Sequence, residues 1–350
     1  MAASREVALQ KTRAETDTVR IAAILSLPDG KQGEESISPA KSAHHPARLG
    51  GLGGTSFARV DILGQSLLDR TLSRIEQIGA VPHTVISQGK STELLPARSG
   101  APKSFATAWE KAVAKHVSEG VDHLLLVRVA AYADIDFAQF LKFHLEVNSP
   151  ITQLYVGETP LDVALLDVSR LRNGEGSYRH TLRALIPQQR HLEYQGYVNR
   201  LATPVDFYTL VEDGLRGRCG LRPIGQETRQ WVWQGRDSEI DSSAVISGPA
   251  FVGEGAQIGA CCTIAAGSSI ERNCEVDSGT TVEDSWVMQD TYVGAALDVR
   301  RAIVGRDSLF HLDRNVEVQI GDPDLIGTAQ KSAALFGTLG SLIWGREATG

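Results

Sequence analysis

The sequence predicts an α/β chain in which a doubly wound, mainly parallel sheet is followed by a left-handed parallel β-helix. Two observations predict it. From residue 19 to about 215, apolar strand-like runs alternate with helix-like segments, as in a sheet wound with helices. From 240 to 288 an aliphatic residue returns at every sixth position, a rhythm that is neither helical nor that of a simple strand.

The N-terminal elements follow in order. "VRIAAILSL" (19–27) is a continuous apolar run, as a buried parallel strand requires. "SLLDRTLSRIEQIGA" (66–80) places Leu67, Leu68, Leu72, Ile75 and Ile78 at helical spacing and has a glycine near its end. "HTVIS" reads as a strand, "KSFATAWEKAVAKHVSEG" as a helix and "HLLLVRV" as a strand. "DIDFAQFLKFHLEV" is a helix and "ITQLYV" another strand. In such sheets ligands sit at the carboxyl ends of the strands.

The repeat comprises Ile240, Ile246, Val252, Ile258, Ile264, Ile270, Val276, Val282 and Met288. Four residues after each of the first seven comes a small one: Ala244, Ala250, Ala256, Cys262, Ser268, Cys274 and Thr280. Hexapeptide-repeat β-helices have this signature: each hexad forms one flat side of a three-sided coil, the aliphatic residue fills the interior, and the small residue lies at the corner. After Val282 the frame slips by one residue, because Val287, Val293 and Val299 continue the rhythm. The pattern is expected to run on into "IVGRDSLFHLDRNVEVQI". Trp231 and Trp233, just ahead of it, are expected to cover the apolar end of the first coil.

The expected organisation is a disordered tail (1–18), an α/β domain (19–217), a linker (218–236), the β-helix (237–322) and a C-terminal tail (323–350). The 350 residues are 42% hydrophobic and 22% charged, the composition of an ordinary globular protein. A net charge of −7 argues against bulk nucleic-acid binding. No apolar run reaches the roughly 18 residues of a membrane span; the longest candidate, "AALFGTLGSLIW" (333–344), carries two glycines. Four cysteines, two of them adjacent, fit no zinc or disulfide framework, so a reduced, cytoplasmic protein is expected. Exposed coil ends favour a homo-oligomer.

Three segments carry a family resemblance. "LGQSLLDRTLSRIEQIGA" (63–80), "HLLLVRVAAYADIDFAQFLKFHLE" and "GYVNRLATPVDFYTL" (196–210) resemble, in order and spacing, elements of the sugar-1-phosphate nucleotidyltransferases. The resemblance implies a nucleotidyltransferase-like α/β domain that joins a nucleoside triphosphate to a sugar 1-phosphate and releases pyrophosphate. It also implies Mg²⁺ held by two aspartates.

At the matching positions those aspartates are replaced. Ala130 stands where the first metal ligand belongs, and Arg200 where the second does. "SFA" (56–58) lies over the family's lysine-bearing element. The first strand runs into a long polar segment, and "GGLGGT" (50–55), which has the glycines of a phosphate loop, lies some twenty residues beyond it. The resemblance therefore implies an inactive relative. Arg128 and Arg200 are candidate anion-binding residues, because guanidinium forks suit phosphate oxygens without a metal. The expected ligand is a nucleotide, sugar nucleotide or sugar phosphate, with no cofactor. Two alternatives stay open. One is an active transferase using Mg²⁺ at Asp134 or Asp136; the other is a β-helix acyltransferase, for which His311 is the sole histidine near the repeats.

Overall fold

A computed structural model describes residues 19–27, 56–87, 90–92, 105–172 and 176–329. The "GGLGGT" stretch, the tail 1–18 and the apolar segment 333–344 lie outside the described residues. The chain divides into two compact units. The described residues of the first are 19–27, 56–60, 66–87, 90–92, 105–172 and 176–206; those of the second are 61–65 and 207–329.

The first unit is a mixed α/β layer structure. Its main sheet is formed by seven strands, β1 (Ile21–Ser26), β2 (Ala80–Ser87), β3 (Lys90–Thr92), β4 (His123–Arg128), β5 (Ile151–Val156), β6 (Thr159–Asp167) and β7 (Arg190–Glu193). They lie in the order β7-β5-β6-β4-β1-β2-β3. β1 pairs in parallel with β2 and β4, so that Ser26 stands beside both Ile86 and Arg128. β7 is parallel to β5, whereas β6 is antiparallel to both of its neighbours and β3 is antiparallel to β2. The sheet is thus parallel-rich, with two reversed strands. The reversal at β6 comes from a tight turn in which Gly157 takes a φ of +59°, a conformation that glycine adopts without steric cost.

Helices α1 (Leu67–Glu76), α2 (Phe105–Ser118) and α3 (Phe137–Val147) arise where the helical spacing predicts them. Ser66 caps α1 by accepting from Asp69 N at 3.1 Å, and Asp136 caps α3 by accepting from Gln139 N at 2.9 Å. Trp109 and Val113 of α2 pack with Ile24, Leu124, Leu126 and Ile151 of the sheet in one core. Helix α3 contributes a buried histidine whose two ring nitrogens both find partners. His144 lies 2.7 Å from Thr152 Oγ1 and 3.1 Å from His123, and burial, reinforced by the neighbouring His123, pushes it down to about 4.

The second unit consists mostly of short parallel strands on three faces, an arrangement compatible with a β-helix. Val232, Ala250 and Ser268 stack on one face, Glu239, Gln257 and Glu275 on the next, and Val245, Thr263 and Thr281 on the third. Each step is 18 residues. It shortens to 17 where Ile270 pairs with Val287, Val276 with Val293 and Val282 with Val299. The missing residue falls between Val282 and Val287, where the sequence shows its slip. The aliphatic series forms a single buried column, with Val287 rather than Met288 continuing it.

The corners are sharper than the sequence suggests. The small residue is buried, and the residue before it makes the turn: φ is +64° at Gly255, +57° at Cys261, +79° at Gly267, +54° at Asn273 and +72° at Gly279. Small polar side chains then stitch successive coils by donating to carbonyls 14 residues ahead. Ser268 reaches Val282 O, Cys274 Met288 O and Thr280 Gly294 O, while the Cys262 thiol lies closest to Asp277 O, one residue further on. All four cysteines are free thiols.

Two expectations are corrected here. "IVGRDSLFHLDRNVEVQI" does not make another coil: after Ala302–Val304 the chain turns back in antiparallel strands Ser308–His311 and Val316–Gln319. The residues "VEVQI" alternate with the two-residue period of an ordinary strand, and Asn315 supplies a left-handed turn at φ +52°. Trp231 and Trp233 likewise do not cover the coil interior. Val232 between them points inward, and Trp231 is 45% exposed.

Within this unit, residues 61–65 are anchored on a buried carboxylate. Glu271 Oε1 accepts from Leu63 N at 2.8 Å, Ser269 Oγ at 2.8 Å and Trp286 Nε1 at 3.1 Å, and its Oε2 accepts from Gly64 N at 2.9 Å. Burial raises this carboxyl to about 7 against the pull of the donors. Arg272 adds an ion pair to Asp61 at 2.8 Å.

Candidate functional site

The site lies in the first unit, at the carboxyl end of β4. Arg128 is the last residue of that strand, and the chain continues through Ala130 into the short strand Tyr132–Ala133. Val198–Asn199 pairs antiparallel with this strand, Val198 opposite Ala133 and Asn199 opposite Tyr132. The ribbon brings Arg200, the next residue, to the same place. Together they line an open cleft with about 60 Å³ of space accessible to water.

All three positions singled out in the sequence, Arg128, Ala130 and Arg200, line this one cavity. Ala130 is buried and offers only a methyl group. Arg200 is half-buried. Asp134 and Asp136 have other employment. Asp134 accepts from Tyr132 Oη at 2.6 Å and pairs with Arg74 Nη2 at 3.1 Å, while Asp136 caps α3. His311 stands on an antiparallel strand of the second unit, beyond the parallel coils.

Three charged residues were not picked out from the sequence. Arg70 and Arg74 reach the cavity from α1, on the same helix face as Leu67 and Thr71. Their i, i+4 spacing is a legible signal, since residues so spaced share a helix face. Arg74 also donates to Ala133 O at 2.9 Å and lies 5.6 Å from the centre of the Tyr132 ring, so it ties α1 to the strand segment after β4.

The third is Asp162. In the β4–β6 ladder Val127 stands opposite Val163, which places Asp162 beside Arg128. The guanidinium Nη1 lies 3.2 Å from Asp162 Oδ2, and the two side chains are only 6% and 8% exposed. A buried guanidinium needs such a partner, because removing either charge leaves the other desolvated and uncompensated. Next to the ribbon, burial and then Asp134 push the Tyr194 phenol up to about 12, so it stays protonated and donates to Tyr197 O at 3.3 Å.

Between the charges the lining is apolar, with Leu67, Val129, Ala130, Phe137, Leu161 and Val163. Four arginines therefore line a cleft whose walls are otherwise largely apolar, a setting that strengthens each charge interaction. A scan of protein-family models finds no match to this chain, and a search of curated proteins finds no relative.

Proposed function

We propose that the chain is a sugar-nucleotidyltransferase-like protein that has given up nucleotide transfer and binds a sugar nucleotide or sugar phosphate without a metal. The observation that carries this reading is the convergence of Arg70, Arg74, Arg128 and Arg200 on one cavity at the carboxyl end of a strand. Among the described residues the lining offers a hard cation one carboxylate, Asp162, and that one is engaged by Arg128. Such a donor set does not fit Mg²⁺, which is held through carboxylates in near-octahedral oxygen geometry. The role is regulation or assembly in nucleotide-sugar or polysaccharide metabolism. The protein works in a reducing cytoplasmic setting as a homo-oligomer built through a left-handed coil.

Titration calorimetry with hexose 1-phosphates and NDP-sugars, with and without Mg²⁺, tests this reading. Binding independent of Mg²⁺ is expected, and Arg200→Ala should weaken it roughly tenfold, the effect of losing one charge-assisted hydrogen bond. Mg²⁺-dependent pyrophosphate release from a triphosphate and a sugar 1-phosphate would overturn the inactive assignment. Absence of heat with every ligand would overturn the binding role.

A further inference from the structure

A second cavity, of about 430 Å³, opens in the first unit at the other end of the sheet, where β1 and β2 begin. Its apolar side is made by Ile78, Val81, Pro82 and Val121, and its charges are Arg20, Glu76 and Glu119. Val81 is 61% exposed, the highest value for a large aliphatic side chain among the described residues. We infer that this cavity is a binding site for a small zwitterion with an apolar side chain, an α-amino acid of the aliphatic class.

The cationic side is held in place. Arg20 N donates to Asp122 Oδ2 at 2.9 Å, and Arg20 O accepts from Asp122 N at 2.8 Å and His123 N at 3.2 Å, so its backbone is clamped just ahead of β1. Its guanidinium lies over Gly120, where an added methyl would stand 2.9 Å from Nη2. With φ at +75°, Gly120 supplies both the turn after α2 and the room for the arginine. Neither Arg20 nor Glu76 has a side-chain partner among the described residues. Glu119 Oε2 lies 3.0 Å from His116 Nδ1, which orients that carboxylate. The planar fork of Arg20 matches a carboxylate, and the two glutamates match an ammonium group. An aliphatic side chain in the same ligand covers Val81, which water otherwise bathes. A simple anion meets two like charges here, and a simple cation leaves the guanidinium unmatched. Recognition therefore needs both charges on one molecule.

The test is calorimetry on the full-length protein at about pH 7.5, where both groups of the ligand are charged. The probes are L-leucine, isoamylamine, which lacks the carboxylate, and 4-methylpentanoate, which lacks the ammonium group. L-Leucine should bind with a Kd below about 1 mM, and each analogue at least roughly tenfold more weakly. Arg20→Gln should weaken L-leucine roughly tenfold and leave isoamylamine within about twofold, whereas Glu76→Gln should weaken both. Absence of L-leucine binding up to about 10 mM would overturn the inference, and so would analogues that bind as well as L-leucine; neither result needs a variant to fold. An Arg20→Gln protein with a wild-type melting curve and wild-type affinity for L-leucine would overturn it too. Among the described residues this cavity shares no lining residue with the cleft, so these outcomes leave the sugar-phosphate reading standing.

Discussion

Glu271 is the place where one atom changed should have a measurable and interpretable cost. Its carboxylate is fully buried and faces four donors, three on Oε1 and one on Oε2. In Glu271→Gln the carbonyl oxygen can replace Oε1 and keep the bonds to Leu63 N, Ser269 Oγ and Trp286 Nε1. The amide NH₂ then occupies the place of Oε2 and meets the N–H of Gly64, donor against donor. One buried donor loses its acceptor, at a cost of about 1–3 kcal/mol. Glu271→Leu removes the acceptor from all four. Ser269 can rotate its hydroxyl away, but two backbone N–H groups and an indole remain, so the cost should reach at least about 4 kcal/mol. The assay is urea unfolding followed by tryptophan fluorescence. Three of the four tryptophans among the described residues (231, 233 and 286) belong to the second unit, so their signal reports chiefly on the unit that holds Glu271. If Glu271→Gln lies within about 0.5 kcal/mol of wild type, or Glu271→Leu costs no more than Glu271→Gln, the anchoring account is wrong.

Two further outcomes follow from the same geometry. His144 is buried and its folded-state value is lowered from 6.5 to about 4, so below pH 6.5 the unfolded chain takes up the proton first. The stability associated with it is intact above about pH 6.5 and is lost as the pH falls towards 4; about 2 kcal/mol should go between pH 7 and pH 5. Urea midpoints at the two pH values measure this, and His144→Gln should flatten the difference; an unchanged slope would place the acid sensitivity elsewhere. At the coil corners, Gly279→Ala should cost about 1 kcal/mol, since φ is +72° but the nearest neighbouring atom lies 3.9 Å from the added methyl. Gly267→Ala should cost at least about 2 kcal/mol more, because its methyl would run into the Asp284 carboxylate and lie 3.1 Å from Tyr208 Oη. Thermal melts of the two variants decide this, and equal melting temperatures would refute it.

The repeat was legible because every inward residue obeys one constraint, the volume of the coil interior, and obeys it at a fixed interval. Even the shortened coil was visible, since Val282 and Val287 are five residues apart and the pairing keeps both inside. The turning residue was less legible. Cys261, Asn273 and the corner glycines share a backbone angle but no side-chain chemistry. The end of the coil was misjudged because "VEVQI" contains aliphatic residues that happen to extend the repeat, while its own period is two. In the site, Arg128, Ala130 and Arg200 were found through three short motifs, and the ribbon of 132–133 with 198–199 brings them together. Asp162 was out of reach because its meaning depends on β6 reversing beside β4. The clue to that reversal, a glycine turn between "ITQLYV" and "PLDVALLD", lies in a stretch that otherwise reads as continuous strand. Glu271 was invisible for a related reason: its partners at 63 and 64 lie more than 200 residues earlier in the chain.

The stitches between coils give the second unit a direction. At the first corners the small residues are Ala244, Ala250 and Ala256, which have nothing to donate, whereas from Cys262 to Thr280 each corner sends a hydroxyl or thiol to the coil ahead. A single hexad, from Ala256 to Cys262, thus separates corners whose small residue has nothing to donate from corners that are buttoned, coil to coil, from inside. The buttons brace the middle coils, and the earliest turns, which lack them, open more readily than the turns they lead into.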